Sequence, residues 1–194
     1  TGNIQFGSIS LTATQGPVSS PTVLNVDPLS LTSTSATLSG NVTNTGGVAI
    51  TANGSVYALT GEYITLAIGE PNVTNLSTPA PGSGTGSFSN ATGSVLLVNR
   101  QYSYNAYASN TVGTSYGTVA TFYTLAVTPN APTVGSPTVN SLAVTLDTSD
   151  DNPSGTQYAI QETGGDYVQA DGTLGAAAVW RTESEWGTVT VNGL

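Results

Sequence analysis

The run Gln101-Tyr102-Ser103-Tyr104-Asn105-Ala106-Tyr107-Ala108-Ser109-Asn110 decides how this chain folds. Tyr102, Tyr104, Ala106 and Ala108 share one parity, while Ser103, Asn105 and Ser109 share the other with Tyr107. A period of two is that of a strand with one buried face, so the two tyrosines are expected inside and Tyr107 on the opposite side. Working outward, Ala36, Leu38 and Val42 alternate in the same way with Thr37, Ser39 and Asn41. Turn signals punctuate such runs at Asn44-Thr45-Gly46-Gly47, Pro81-Gly82-Ser83-Gly84, Thr163-Gly164-Gly165-Asp166 and Asp171-Gly172. No window keeps a helical period, and the expectation is an all-β antiparallel sandwich.

An internal repeat sets the domain organisation. Pro21-Thr22-Val23 recurs as Pro132-Thr133-Val134, and Phe6-Gly7-Ser8-Ile9 has the pattern of Tyr116-Gly117-Thr118-Val119, both about 110 residues apart, a spacing that suits sandwich domains. Leu96 precedes Tyr102 by six residues, the spacing of a tyrosine corner, in which the hydroxyl bonds back to the backbone just upstream. Leu194, after the strand-like Gly187-Thr188-Val189-Thr190-Val191, reads as the same leucine in a second unit. The expected divisions are a strand-like segment and linker over 1–20, a sandwich over 21–126, a linker over 127–131 held semi-rigid by flanking prolines, and a partial sandwich over 132–194.

The chain resembles the fibronectin type III (Ig-like) family as it occurs in tandem arrays on bacterial and archaeal surfaces. The resemblance rests on Gly40-Asn41-Val42, Gly54-Ser55-Val56-Tyr57, Pro71, Gly82 to Phe88, Tyr102 to Asn110, Gly113 to Gly117, and Phe122. It implies strands B, C, E, F and G of one repeat. Thr156 to Glu162, Tyr167 to Ala170, Val179-Trp180 and Trp186 to Leu194 would be strands C to E of a second, incomplete one. Asn105 stands where such repeats often carry arginine, and Val98 replaces the usual proline of the corner. Leu38, Val56, Phe88, Tyr102, Tyr104 and Phe122 are expected in the first core, and Trp180 and Trp186 are expected to pack inside rather than form a sugar-stacking platform.

Composition excludes most chemistry. With Cys 0 and His 0 there is no disulfide, no thiolate site, no cysteine nucleophile and no histidine base or ligand. The two cations are Arg100 and Arg181, so there is no basic patch for nucleic acid. The net charge is −9 with 7% charged residues, which describes a hydroxyl-rich surface. No apolar stretch is long enough to insert in a membrane. The sequence opens at Thr1 without a charged-then-apolar leader, so an export signal is expected outside these residues or already removed.

Four groups of residues merit a chemical reading. Asp147, Asp150, Asp151 and Asn152 supply hard oxygens that suit calcium, and equally form a solvated turn capping its own backbone. Glu183 with Glu185, and Glu162 with Asp166, are close carboxylate pairs, but glycosidase acids flank a cleft from separate segments and a solvated edge accounts for them. Asn41, Asn53, Asn72, Asn75 and Asn90 begin Asn-x-Ser/Thr acceptors in a number that chance alone gives. Ile4 and Phe6 on one parity, and Ile9, Leu11 and Ala13 on the other around a bulge at Gly7, make a final-strand pattern with no domain before it.

The expected function is non-catalytic and extracellular: a cell-surface spacer, filament or surface-layer subunit whose partners are neighbouring repeats or copies of itself. The rival is an adhesin or a carbohydrate-binding accessory module of a secreted enzyme, with a glycan or protein ligand. No cofactor beyond calcium is expected. The Ile4 to Thr14 segment either belongs to a longer tandem array or completes the partial sandwich, residues 132 to 194, of another copy by donating a strand.

Overall fold

The computed structural model describes residues 16–79 and 84–194. Within them the chain is all-β and antiparallel, in two units. In the first, β1 (Thr22–Leu29), β2 (Thr37–Asn44) and β5 (Gly86–Ala91) form one sheet in the order β1-β2-β5. Facing it, β4 (Thr74–Pro79), β3 (Ile50–Leu59), β6 (Gln101–Asn110) and β7 (Thr114–Tyr116) lie in that order, with β8 (Ala120–Tyr123) also paired to β6. The tyrosine-rich run is the central strand. Its partner β3 brings Tyr57 opposite Tyr104 and Leu59 opposite Tyr102.

The alternation works as the period of two requires. Tyr102 and Tyr104 point into a core with Ala36, Leu38, Tyr57, Leu96 and Phe122, and Ala106 and Ala108 into a continuation with Val23, Val42 and Ile50. The Phe122 ring stacks on Tyr102 at 5.7 Å and meets Tyr104 edge-on at 5.9 Å. Phe88 is half-buried against the second cluster.

The last strand is broken at Gly117, and Asn25 of β1 fills the break. Asn25 Oδ1 accepts the Ala106 N–H at 2.7 Å, and its Nδ2 donates to the Thr118 carbonyl at 2.6 Å. Gly117 N–H still reaches Ala106 O at 2.9 Å, and a Cβ there would lie 2.5 Å from Asn25 Oδ1. One side chain thus joins two sheets and satisfies backbone groups that the break leaves over.

Tyr107 corrects the simplest reading of the run. It does point away from the main core, yet it is buried, in a second cluster with Val56, Ala58 and Leu66. Residues 60–73, between β3 and β4, lie over the outer face of β3 and β6 and supply Leu66, so this sheet is covered on both sides. Val56 is buried as expected but on this outer side. Gly54 makes the close approach work: a Cβ there would sit 2.8 Å from the Tyr107 hydroxyl and would collide with the Leu76 carbonyl of β4.

In the second unit, β9 (Thr133–Gly135), β10 (Ser141–Thr145) and β15 (Thr188–Asn192) form a sheet in the order β15-β10-β9, which reproduces β5-β2-β1. Opposite lie two short ladders, β11 (Gln157–Tyr158) with β14 (Arg181–Thr182), and β12 (Tyr167–Val168) with β13 (Leu174–Gly175). Val144, Tyr158, Val168, Trp186 and Val191 make the core. Trp186 is buried as expected, but on the one-turn helix α1 (Glu183–Trp186) instead of a strand, and its indole N–H donates to the Tyr158 carbonyl at 2.8 Å. Glu185 explains the helix: its carboxylate accepts the Thr182 N–H at 2.8 Å, reaching back to the residue before the first turn. The predicted turns at Gly46-Gly47, Gly164 and Gly172 all carry glycine at positive φ; the Pro81 to Ser83 part of another lies outside the described residues.

Candidate interaction site

The tyrosine corner is in place. The Tyr102 hydroxyl accepts the Leu97 N–H at 2.8 Å, while Leu96 N–H donates to Thr34 O at 2.9 Å. Thr34 belongs to a turn in which Thr32 N–H donates to Ser35 O and the Thr32 and Ser35 hydroxyls lie 2.7 Å apart. The second unit repeats this turn. Thr138 N–H donates to Ser141 O, the Thr138 and Ser141 hydroxyls lie 2.8 Å apart, and Leu194 N–H donates to Asn140 O at 3.3 Å. Leu194 therefore stands where Leu96 stands. Leu96 is 4% exposed and Leu194 is 45% exposed.

In the first unit β3 is paired on both sides, by β4 and by β6. In the second, Ile160 O accepts from Val168 N–H at 2.9 Å and Glu162 N–H donates to Asp166 O at 3.0 Å. The even-numbered peptide groups therefore face the hairpin, and the strand repeat turns those of 157, 159 and 161 to the other side. At 157 and 158 the strand also pairs with β14, Gln157 opposite Thr182 and Tyr158 opposite Arg181.

Apolar surface flanks this strand. A groove of about 570 Å³ is lined by Pro129, Pro132, Leu146, Tyr158, Ile160 and Trp180 among others. A second, of about 270 Å³, is lined by Val134, Val144, Ile160, Val168, Val191 and Leu194 among others. Both include Pro132, Ile160 and Gln161, so the two grooves adjoin at these residues. Trp180 corrects the expectation of core packing: it is 61% exposed, beside the larger groove. Its position opposite Ala159, one residue before β14, puts it on the face away from Tyr158. Arg181 instead lies over the buried Trp186 ring, 5.4 Å from its centre.

The acidic loop caps its own backbone, the second of the two readings its composition allows. Asp147 Oδ1 accepts from Ser149 N–H at 2.9 Å and from its hydroxyl at 2.7 Å, and these bonds hold the Asp147 carboxyl below its ordinary value. Asp150 is buried, accepting from Asn152 N–H and facing the Tyr158 hydroxyl at 3.3 Å. Burial, reinforced by that carboxylate, pushes the Tyr158 hydroxyl up. Asn152 turns away to the linker, accepting Val127 N–H at 3.0 Å and donating to Val127 O at 3.1 Å. Among the described residues no group of three or more acidic side chains is placed to hold a metal ion. Asn152 makes a clasp on the linker, with further bonds from Asn130 to Ser149 and from Asn99 of the first unit to Thr156.

The carboxylate pairs are likewise structural. Glu183 and Glu185 share a helical turn rather than a strand face, and the Thr182 bonds hold Glu185 below the usual carboxylate range. Glu162 and Asp166 close the turn at Gly164 through main-chain bonds. Ile4, Phe6, Ile9, Leu11 and Ala13 lie outside the described residues. The clasp and the outer layer over Tyr107 left no pattern in the sequence.

No family model matches the chain, and no curated protein matches it. Among solved structures, the sensor domain of the anti-sigma factor RsgI4 of Pseudobacteroides cellulosolvens in a short form is 19% identical, with 57% of this chain and 99% of that one covered, at a TM-score of 0.43. A long form of the same domain is 18% identical over 57% of this chain and 95% of that one, at 0.40. The FN1-FN3 domains of chicken CNTN1 are 14% identical over 90% of this chain and 56% of that one, at 0.30. These likenesses assign no function to this chain.

Proposed function

We propose that the chain is a non-catalytic structural module of the extracellular surface, built from fibronectin type III-like sandwiches and serving to hold its ends at a fixed separation. The observation that supports this most is the clasp: the linker residue Val127 is bonded at both peptide groups by Asn152, and Asn99 Nδ2 reaches Thr156 Oγ1 at 2.9 Å across the junction. A linker bonded into the next unit suppresses the relative motion that is otherwise the default between domains. The acids that a hydrolase would need are used as turn and helix caps, and no helix among the described residues is long and apolar enough to cross a membrane. The absence of cysteine makes the test direct. Spin labels at Ile64→Cys and Val139→Cys, 99% and 96% exposed in the native chain, are expected to give one narrow distance distribution. A broad distribution would remove the spacer reading.

The second reading, a carbohydrate-binding module, is favoured by the exposed Trp180 indole beside the larger groove. A glycan array with the native chain and with Trp180→Ala decides it, since a spacer binds nothing in either form.

A further inference from the structure

We infer that the groove at the Gln101 end of β6, between the start of the 60–73 segment and Tyr123, is a binding site for a neutral saccharide, with Tyr123 as its stacking platform. The inference rests on the second reading above, a carbohydrate ligand, and gives it a site in the first unit, apart from Trp180. The groove holds about 420 Å³, within the roughly 300–1,000 Å³ of small-molecule sites, and its lining includes Thr60, Glu62, Asn99, Arg100, Gln101 and Tyr123. It shares no residue with the two grooves of the second unit.

These side chains are the kinds that hold pairs of hydroxyls. A carboxylate, a guanidinium and a primary amide are planar, each with two polar atoms side by side, and adjacent ring hydroxyls can meet such a group with two parallel bonds. Glu62, Arg100 and Gln101 supply one of each, and among the described residues no hydrogen bond or ion pair within the chain occupies any of these three side chains. Asn99 gives its Nδ2 to Thr156 and leaves its Oδ1 for a ligand. Tyr123 is 58% exposed while its neighbour Phe122 is in the core, so the strand repeat puts the Tyr123 ring on the outer face, where it can take the apolar side of a sugar ring. Charge decides the ligand class. The groove carries one acid, Glu62, and one cation, Arg100, a balance that suits a neutral polyol better than an anion or a cation.

The main chain behind these groups is fixed. Arg100 N–H donates to Thr124 Oγ1 at 2.9 Å, and Thr124 N–H returns to Arg100 O at 3.0 Å, with Thr124 buried. Thr60 N–H donates to Gln101 O at 3.0 Å, which ties the start of the outer layer to β6, and Gln101 stands opposite Tyr123 in the ladder. Glu62 N–H donates to Leu59 O at 3.1 Å, and its carbonyl accepts from Asn72 Nδ2 at 2.9 Å. Platform and polar groups thus stand at set spacings, which lowers the ordering cost of binding.

An array of neutral and uronic-acid oligosaccharides, probed with the 194-residue chain, is expected to show binding to neutral members. Tyr123→Ala and Arg100→Gln, both at exposed positions, should each weaken that binding roughly tenfold or more, with thermal melts showing that the variants stay folded. Tyr123→Phe keeps the ring and should keep most of the affinity. No binding by the native chain would overturn the inference and the carbohydrate reading together. Binding that Trp180→Ala abolishes while Tyr123→Ala and Arg100→Gln retain it would overturn the inference and leave that reading at the other groove. Binding confined to the uronic-acid members would overturn the neutral ligand. The Ile64–Val139 label distance tests the spacer reading separately.

Discussion

Asn152 holds Val127 by both of its peptide groups, accepting the N–H at 3.0 Å and donating to the C=O at 3.1 Å. A side-chain amide thereby acts as one rung of a sheet, and an otherwise extended linker becomes part of the second unit. Asn152→Ala is expected to broaden the interdomain distance distribution and, at about 0.5–1.5 kcal/mol for each bond, to cost about 1–3 kcal/mol. Asn152→Asp keeps the acceptor and loses the donor, and should fall between. Paired-label spectroscopy and thermal melts read both effects.

The tyrosine corner separates packing from hydrogen bonding. Tyr102→Ala should cost about 3–5 kcal/mol, since the ring stacks on Phe122 inside the first core. Tyr102→Phe keeps the ring but leaves Leu97 N–H without its partner, a loss of about 1–3 kcal/mol. Denaturant unfolding followed by circular dichroism distinguishes the two.

Gly54→Ala tests the outer layer. The added methyl meets the Leu76 carbonyl and the Tyr107 hydroxyl, and β4 must shift away from β3 to admit it. A loss of about 1–3 kcal/mol is expected, together with faster amide exchange at Thr74 to Ser77. Unchanged exchange would mean that β4 does not depend on this contact.

Acid should unfold the second unit first. Asp147, Asp171 and Glu185 are held below their ordinary values, Asp147 and Glu185 chiefly by backbone N–H groups and Asp171 chiefly by the Thr173 hydroxyl. A depressed carboxyl stabilises the fold above its unfolded pKa of about 4, and that contribution is lost as pH falls through the folded value. All three lie beyond residue 132, and so do both tryptophans, so tryptophan fluorescence reports this unit alone. Its acid midpoint is expected above that of the tyrosine-rich first unit, and Glu185→Gln should lessen the dependence.

Calcium is expected to leave the melting curve of the second unit where chelator leaves it, because the loop carboxylates are already bonded to Ser149 and Asn152 and no group of three or more acidic side chains among the described residues is placed to hold a metal ion. A melting temperature that rises with calcium concentration would overturn this.

The alternation of Tyr102, Tyr104, Ala106 and Ala108 was enough to place β6 and the main core, because strand periodicity is local and every second side chain must share a face. The Leu96 to Tyr102 spacing and the Leu96 and Leu194 equivalence were legible for the same reason: a corner is made within a few residues. Tyr107 and Trp180 were not. Whether a face is covered depends on segments distant in sequence, and residues 60–73 bury Tyr107 whereas Trp180 stays exposed. The acidic loop shows the same division. Its composition allowed a metal site or a turn, and the bonds from Asn152 to Val127 and from the Tyr158 hydroxyl to Asp150 come from residues distant in sequence and left no local pattern. Local repeats fix which way a side chain points, and tertiary packing fixes what it meets.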